Sequence, residues 1–123
     1  MKKPKILMVD EEPLEFIKEI LSKDYEFILA SGGIDALIEA DRALPDLVVL
    51  NAMMSNMNGY AVCRELKADD KTSSIPVMMI TGQAGNEDRM RAIESGADCF
   101  MEKTTGIRRL NAKIKSLIKT AYC

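Results

Sequence analysis

The chain has no histidine and only three cysteines, Cys63, Cys99 and Cys123, none of them in a C-x-x-C pair. Imidazole metal centres and histidine-based proton transfer are therefore excluded, and an odd set of scattered thiols supports neither a disulfide framework nor a zinc site. Any metal would have to sit on oxygen ligands. No stretch approaches the roughly 18 apolar residues of a membrane span, and the opening MKKPKILMVD meets an acid too soon to be a secretion signal. A cytoplasmic protein is expected. The seven glycines never take the spacing of a phosphate-cradling loop. Without such a loop, and with no nucleophile and base to pair, no independent catalytic activity is expected.

What the chain does have is the profile of one globular domain over residues 1–123: 47% hydrophobic and 29% charged, enough to bury a single core. Its charge is uneven. Residues 104–123 carry Arg108, Arg109, Lys113, Lys115 and Lys119 and no acid, so the net charge of −2 divides into +5 there and −7 in the rest. That stripe reads as a solvated helix face or a patch for a protein partner. Nucleic-acid binding is not expected, because Tyr122 is the only aromatic residue among these charges.

Short apolar runs alternate with longer amphipathic stretches along the whole chain. KILMV at 5–9, YEFILA at 25–30, DLVVL at 46–50, IPVMMI at 75–80 and DCFM at 98–101 read as strands. Most are too continuously apolar for a sheet with one wet face, as expected of parallel strands covered on both sides. Helical spacing links Leu14, Ile17 and Leu21, then Ile34, Leu37 and Ile38, then Val62, Cys63 and Leu66, then Met90 and Ile93. A fifth stripe joins Ile107, Leu110, Ile114, Leu117 and Ile118. The punctuation agrees: Gly32 and Gly33 precede the second helix and Pro45 ends it, Gly59 opens the third, and Gly96 closes the fourth. Five strands alternating with five helices predict an α/β fold, a (βα)5 doubly wound parallel sheet of flavodoxin type with helices on both faces.

Ligands in such sheets sit beyond the carboxyl ends of the strands, near the point where strand order reverses. The first strand ends in Asp10-Glu11-Glu12, the third in Asn51, the fourth in Thr81-Gly82 and the fifth in Glu102-Lys103. Acids, a hydroxyl and a lysine converging on one crevice have the chemistry to hold a divalent cation and a phosphoryl group. Charged residues also collect wherever strands emerge into water, so no single position here carries the argument.

As a set, these residues resemble the receiver domains of two-component response regulators, and the resemblance covers essentially the whole chain. KILMVDEEP matches the opening strand and acidic pair, PDLVVLNAMMSNMNGYAVCRELK the phosphoacceptor strand and following helix, and IPVMMITG and ADCFMEK the threonine and lysine strands. The resemblance makes Asp10 and Glu11 the acidic pair that holds magnesium, with the main-chain carbonyl of Met53 a third ligand. It makes Thr81 the hydroxyl that contacts the phosphoryl group, Phe100 the aromatic switch position and Lys103 the strand-five lysine. It also places Asn51 on the phosphoacceptor aspartate. A carboxamide is a poor nucleophile and brings no negative charge to a cation, so aspartyl phosphorylation is expected to be absent and magnesium binding weakened.

Other departures cluster around the same crevice. Ser55 and Asn58 stand where the family commonly has proline and aspartate, Gly82 where it has alanine, and Thr104 where it has a proline that is often cis. Without proline a cis bond costs about 2.5–4 kcal/mol, so a trans bond is expected before Thr104. The pattern implies a pseudo-receiver, a phosphorylation-independent interaction module. Its partner surface would be the fourth helix, fifth strand and fifth helix, with Arg89, Arg91, Arg108, Arg109 and Lys113 facing an acidic partner: a histidine kinase, a phosphotransfer protein, an output protein or a second copy. Two other readings stay open. One is a conventional receiver in which an aspartate at 51 has been exchanged for asparagine; the other is a metal or small-ligand sensor using the same crevice.

Overall fold

Apolar runs unbroken by polar residues can be strands only if both faces of their sheet are covered, and here both are. The computed structural model describes residues 3–10, 22–53, 58–82, 85–102 and 106–122. Within them five strands, β1 (Lys5–Val9), β2 (Glu26–Ala30), β3 (Leu47–Asn51), β4 (Val77–Thr81) and β5 (Cys99–Glu102), form one sheet in the order β2-β1-β3-β4-β5. Every pairing is parallel. The described helices are α1 (Gly33–Ala43), α2 (Gly59–Ala68), α3 (Asn86–Glu94) and α4 (Ile107–Tyr122). The last two are the fourth and fifth helical segments of the sequence; the helix expected around Leu14, Ile17 and Leu21 lies outside the described residues.

Side chains alternate across the sheet and build two cores. Leu7, Val9, Val48, Leu50, Val77 and Met79 face α1, α2 and α3, while Ile6, Met8, Leu47, Val49, Met78 and Ile80 face α4. The period of two along each strand makes this division, and it fixes the register, since a one-residue slip would exchange the two cores. All five residues of β3 and of β4 are buried, whereas β2 and β5 at the edges are partly exposed. Pro76 stays just outside β4, as a residue without an N–H must, and its carbonyl accepts from Val48 N at 3.0 Å. The third and fourth strands run one residue further than the apolar pattern indicates, and so include Asn51 and Thr81.

Two helices are turned relative to their expected faces. On α1 the core side is Gly33, Ala36 and Ala40, with Leu37 half-buried, while Ile34 and Ile38 are 72% and 57% exposed. On α3 only Ala92 is buried, and Met90 and Ile93 point to solvent. Spacing alone selects the large apolar residues, but close packing of a helix on a sheet favours the small ones here. On α2 and α4 the expected stripes are confirmed: Val62, Cys63 and Leu66 are buried, as are Leu110, Ile114 and Ile118, with Leu117 half-buried. The side chain of Ile107 lies outside the described residues. None of the described helices is long and apolar enough to cross a membrane.

Two backbone positions set how the elements join. α1 ends on Leu44, whose φ of 47° and ψ of 64° are left-handed, with its N–H donating to Ala40 O at 3.0 Å and its side chain 48% exposed. A β-carbon makes that conformation costly. At the start of α2, a β-carbon on Gly59 would run into the carbonyl oxygen of Asn51 and stand 2.8 Å from Ala52 Cα. The two sites give opposite expectations. Leu44→Gly should raise stability by about 0.5–1 kcal/mol, the left-handed strain relieved less the cost of glycine's added freedom. Gly59→Ala should lower it by about 1–3 kcal/mol, because backbone rather than a pliable side chain must move. Urea midpoints at unchanged slope would measure both.

Candidate functional site

β1 pairs with β2 on one side and β3 on the other, so the connections leave the sheet in opposite directions at that point and open a crevice at the strands' carboxyl ends. Three polar residues line up there on neighbouring strands. Asp10 follows β1, Asn51 ends β3 and Thr81 ends β4; all three are buried. Register explains the alignment, since Val9 lies opposite Leu50 and Asn51 opposite Ile80. Asp10 is itself anchored, its N–H donating to Ala30 O of β2 at 3.1 Å.

The Asn51 carboxamide is engaged at both ends. Its Nδ2 donates to Asp10 Oδ1 at 3.0 Å, and its Oδ1 accepts from the Met53 N–H at 3.2 Å. A carboxylate only accepts and a main-chain N–H only donates, so this is the orientation in which the amide satisfies both neighbours. The chain leaving Asn51 is then secured: Ala52 N–H donates to Ile80 O at 2.8 Å, Gly59 N–H to Ala52 O at 2.9 Å, and Asn58 Oδ1 caps α2 by accepting from Tyr60 N–H at 2.7 Å. Asn58, a departure from the family in the sequence, is thus the helix cap.

Of the five crevice residues picked from the sequence, the structure brings together Asp10, Asn51 and Thr81. Glu11 and Lys103 lie outside the described residues, as do Ser55 and the bond before Thr104. The Met53 side chain is exposed and its N–H is taken by Asn51. Phe100 lies on β5, half-buried against the core beneath α1, α2 and α3, with the Arg89 guanidinium 5.8 Å from its ring centroid.

A second concave region runs along β5. α3 supplies Arg89 and Ile93, the strand Cys99 and Met101, and α4 Arg109 and Lys113, around a groove of about 1030 Å³. Burial pushes the Cys99 thiol up from its ordinary range, and the nearby Lys113 ammonium partly offsets this. The groove therefore gathers three of the five basic residues expected on a partner surface. Arg91 instead stacks over the Tyr60 ring of α2 at 4.4 Å, and Arg108 is exposed elsewhere on α4.

Two clusters escape a reading of the sequence. Tyr60 is buried beneath Arg91 and hydrogen-bonded to Asp88, and burial followed by the Asp88 charge pushes its hydroxyl up from the usual tyrosine range, with Arg91 opposing. This ties α2 to α3. Lys67 Nζ donates to Ile75 O at 2.8 Å and pairs with Asp98 at 2.9 Å, while Asp98 Oδ2 also accepts from Val77 N–H at 2.8 Å. The aspartate at the head of an apolar run was the available signal for this clamp, because strands disfavour aspartate unless its side chain has a task.

Three known proteins show what the chain is similar to. It is 40% identical over 118 residues to the response regulator PleD of Caulobacter vibrioides, covering 94% of this chain and 26% of PleD. It is 40% identical over 124 residues to the probable transcriptional regulator ycf27 of Porphyra purpurea, covering 97% of this chain and 49% of that protein. The chain thus spans about a quarter and about half the length of these relatives. Its fold superposes with a TM-score of 0.87, at 32% identity, on the crystal structure of the receiver domain of a signal transduction histidine kinase from Syntrophus aciditrophicus, covering 95% of this chain and 91% of that one. The family model described as the response regulator receiver domain matches residues 6–115, and the chain belongs to that family.

Proposed function

We propose that this receiver does not accept a phosphoryl group and acts as a constitutive protein-interaction module. The observation that carries this is the Asn51 side chain, seated at the end of β3 beside Asp10 with both ends of its amide occupied. Aspartyl phosphorylation needs an anionic oxygen free to attack at this place, and an amide oxygen accepting from Met53 N–H is neither anionic nor free. The domain then has no catalytic step of its own, and its output rests on binding.

Receiver domains hold magnesium beside the phosphoryl site. The crevice's described carboxylate, Asp10, accepts the Asn51 Nδ2–H group. A hard cation needs oxygen ligands on every side, and here an N–H donor stands where another oxygen is required. Magnesium binding by Asp10, Glu11 and the Met53 carbonyl is therefore weakened in this reading.

The partners that suit this reading are those of a phosphorelay: a histidine kinase, a phosphotransfer protein or an output protein. They would meet the face built from α3, β5 and α4, where Arg89, Arg109 and Lys113 raise the rate and selectivity of association with an acidic surface. A second copy is the other occupant of that face to be tested.

Incubation with acetyl phosphate and magnesium, followed by intact-mass measurement, tests the reading directly. The chain should gain no adduct, and a gain of about 80 Da, one phosphoryl group on Asn51 or a neighbouring side chain, would overturn it. If the Asn51→Asp variant gains that mass, the rest of the crevice is competent and the amide alone silences it. Calorimetry provides a second test: Asn51→Asp should tighten magnesium binding by about ten-fold or more, ~1.4 kcal/mol, by adding a charged ligand and removing the competing N–H. Equal affinities would show that the amide is not what weakens the metal.

A further inference from the structure

At the opposite side of the sheet from β5, α1 packs on β1 and β2 through its small residues and turns two large apolar ones to water. Ile34 and Ile38 stand one turn apart, both mostly exposed. A single exposed isoleucine needs no explanation, but a pair at i and i+4 is the anchor spacing of a helix–helix contact. At about 100° per residue, Asp35 and Glu39 form the next stripe around the same helix. These two acids also border a groove of about 450 Å³ that reaches Asp10 and Ser31 at the strand ends and Leu29 on the edge strand, itself 39% exposed.

Charge selects the occupant. Around this face stand four acids, Asp10, Asp35, Glu39 and Asp41, against two cations, Arg42 and Lys71. Both cations are already engaged, Arg42 with Glu39 at 2.6 Å and Lys71 with Asp41 at 3.1 Å. Asp35 is in no salt bridge among the described residues. The adjoining cleft between α1 and α2 adds Glu65 and Asp69 and, among the described residues, no cation. Such a face repels nucleic acid and anionic lipid, and a second copy seated by two-fold symmetry would set net negative charge against itself. A helix whose apolar stripe is flanked by lysine or arginine meets both halves of the surface at once.

We propose that the outer face of α1 is a second docking surface, which takes a basic amphipathic helix of a partner protein. The apolar stripe of that helix covers Ile34 and Ile38, and its cations meet Asp35 and Glu39. This inference goes beyond the interaction-module reading and stands without it, since neither the α3–β5–α4 face nor phosphorylation at residue 51 enters into it.

The test selects binders to the full chain from a displayed library of helical peptides with randomised outward positions. Enriched peptides should carry apolar residues at i and i+4 beside lysine or arginine, and should shift the NMR methyl signals of Ile34 and Ile38. An Ile34→Gln, Ile38→Gln double variant should keep its urea midpoint, because both side chains are mostly in water, yet bind these peptides about ten-fold more weakly. Asp35→Lys should weaken binding by about three-fold or more, an effect that shrinks at about 0.5 M salt. Three results would overturn the proposal: no enrichment, enriched peptides that lack basic residues or bind both variants undiminished, or a dimer of the chain that the double variant disperses, which would make a second copy the occupant.

Discussion

The contact between Gly59 and the main chain at Asn51 and Ala52 is the constraint on which the site depends. α2 begins almost on top of the end of β3, closer than any side chain would allow. This approach lets the Gly59 N–H reach Ala52 O, puts the Asn58 cap over the first turn and turns Tyr60 inward under Arg91. Val62, Cys63 and Leu66 then fall into the core without adjustment. The crevice is thus shaped by backbone meeting backbone, and the side chains at its mouth inherit their positions.

Within that frame, the Asn51 amide replaces one kind of electrostatic balance with another. A cluster of carboxylates at the carboxyl end of a parallel sheet repels itself unless a cation or a hydrogen-bond donor intervenes. Asn51 is that donor, held at 3.0 Å from Asp10 and built into the chain. Asp10 thus finds a donor within the chain itself, through a contact that needs no dissolved ion.

The fold was legible in the sequence because its strongest signals are local and periodic. The uninterrupted apolar runs of β3 and β4 require burial on both faces, and glycines at 32, 59 and 96 mark helix ends. Asp10, Asn51 and Thr81 were legible for a topological reason: in a parallel sheet the residue after each apolar run lies at the same end. The orientation of α1 and α3 was not legible. Periodicity says which residues share a face but not which face meets the sheet, and Ala36, Ala40 and Ala92 give weak hydrophobic signals although they sit at the closest contacts. The Tyr60–Asp88–Arg91 and Lys67–Asp98 clusters were hidden for a related reason, since each joins elements through partners whose proximity only the folded chain creates.

The inward alanines of α1 also bear on how such a sequence can drift. A helix resting on its smallest residues offers no room for growth at Ala36 or Ala40, where one added methylene group presses on the sheet. Ile34 and Ile38, although large and apolar, are mostly exposed, so polar residues that favour a helix can replace them at little cost. Sequence change on this helix is therefore cheap where the residues are conspicuous and expensive where they are plain. Its surface can be rewritten for a new neighbour while the architecture beneath stays as it is.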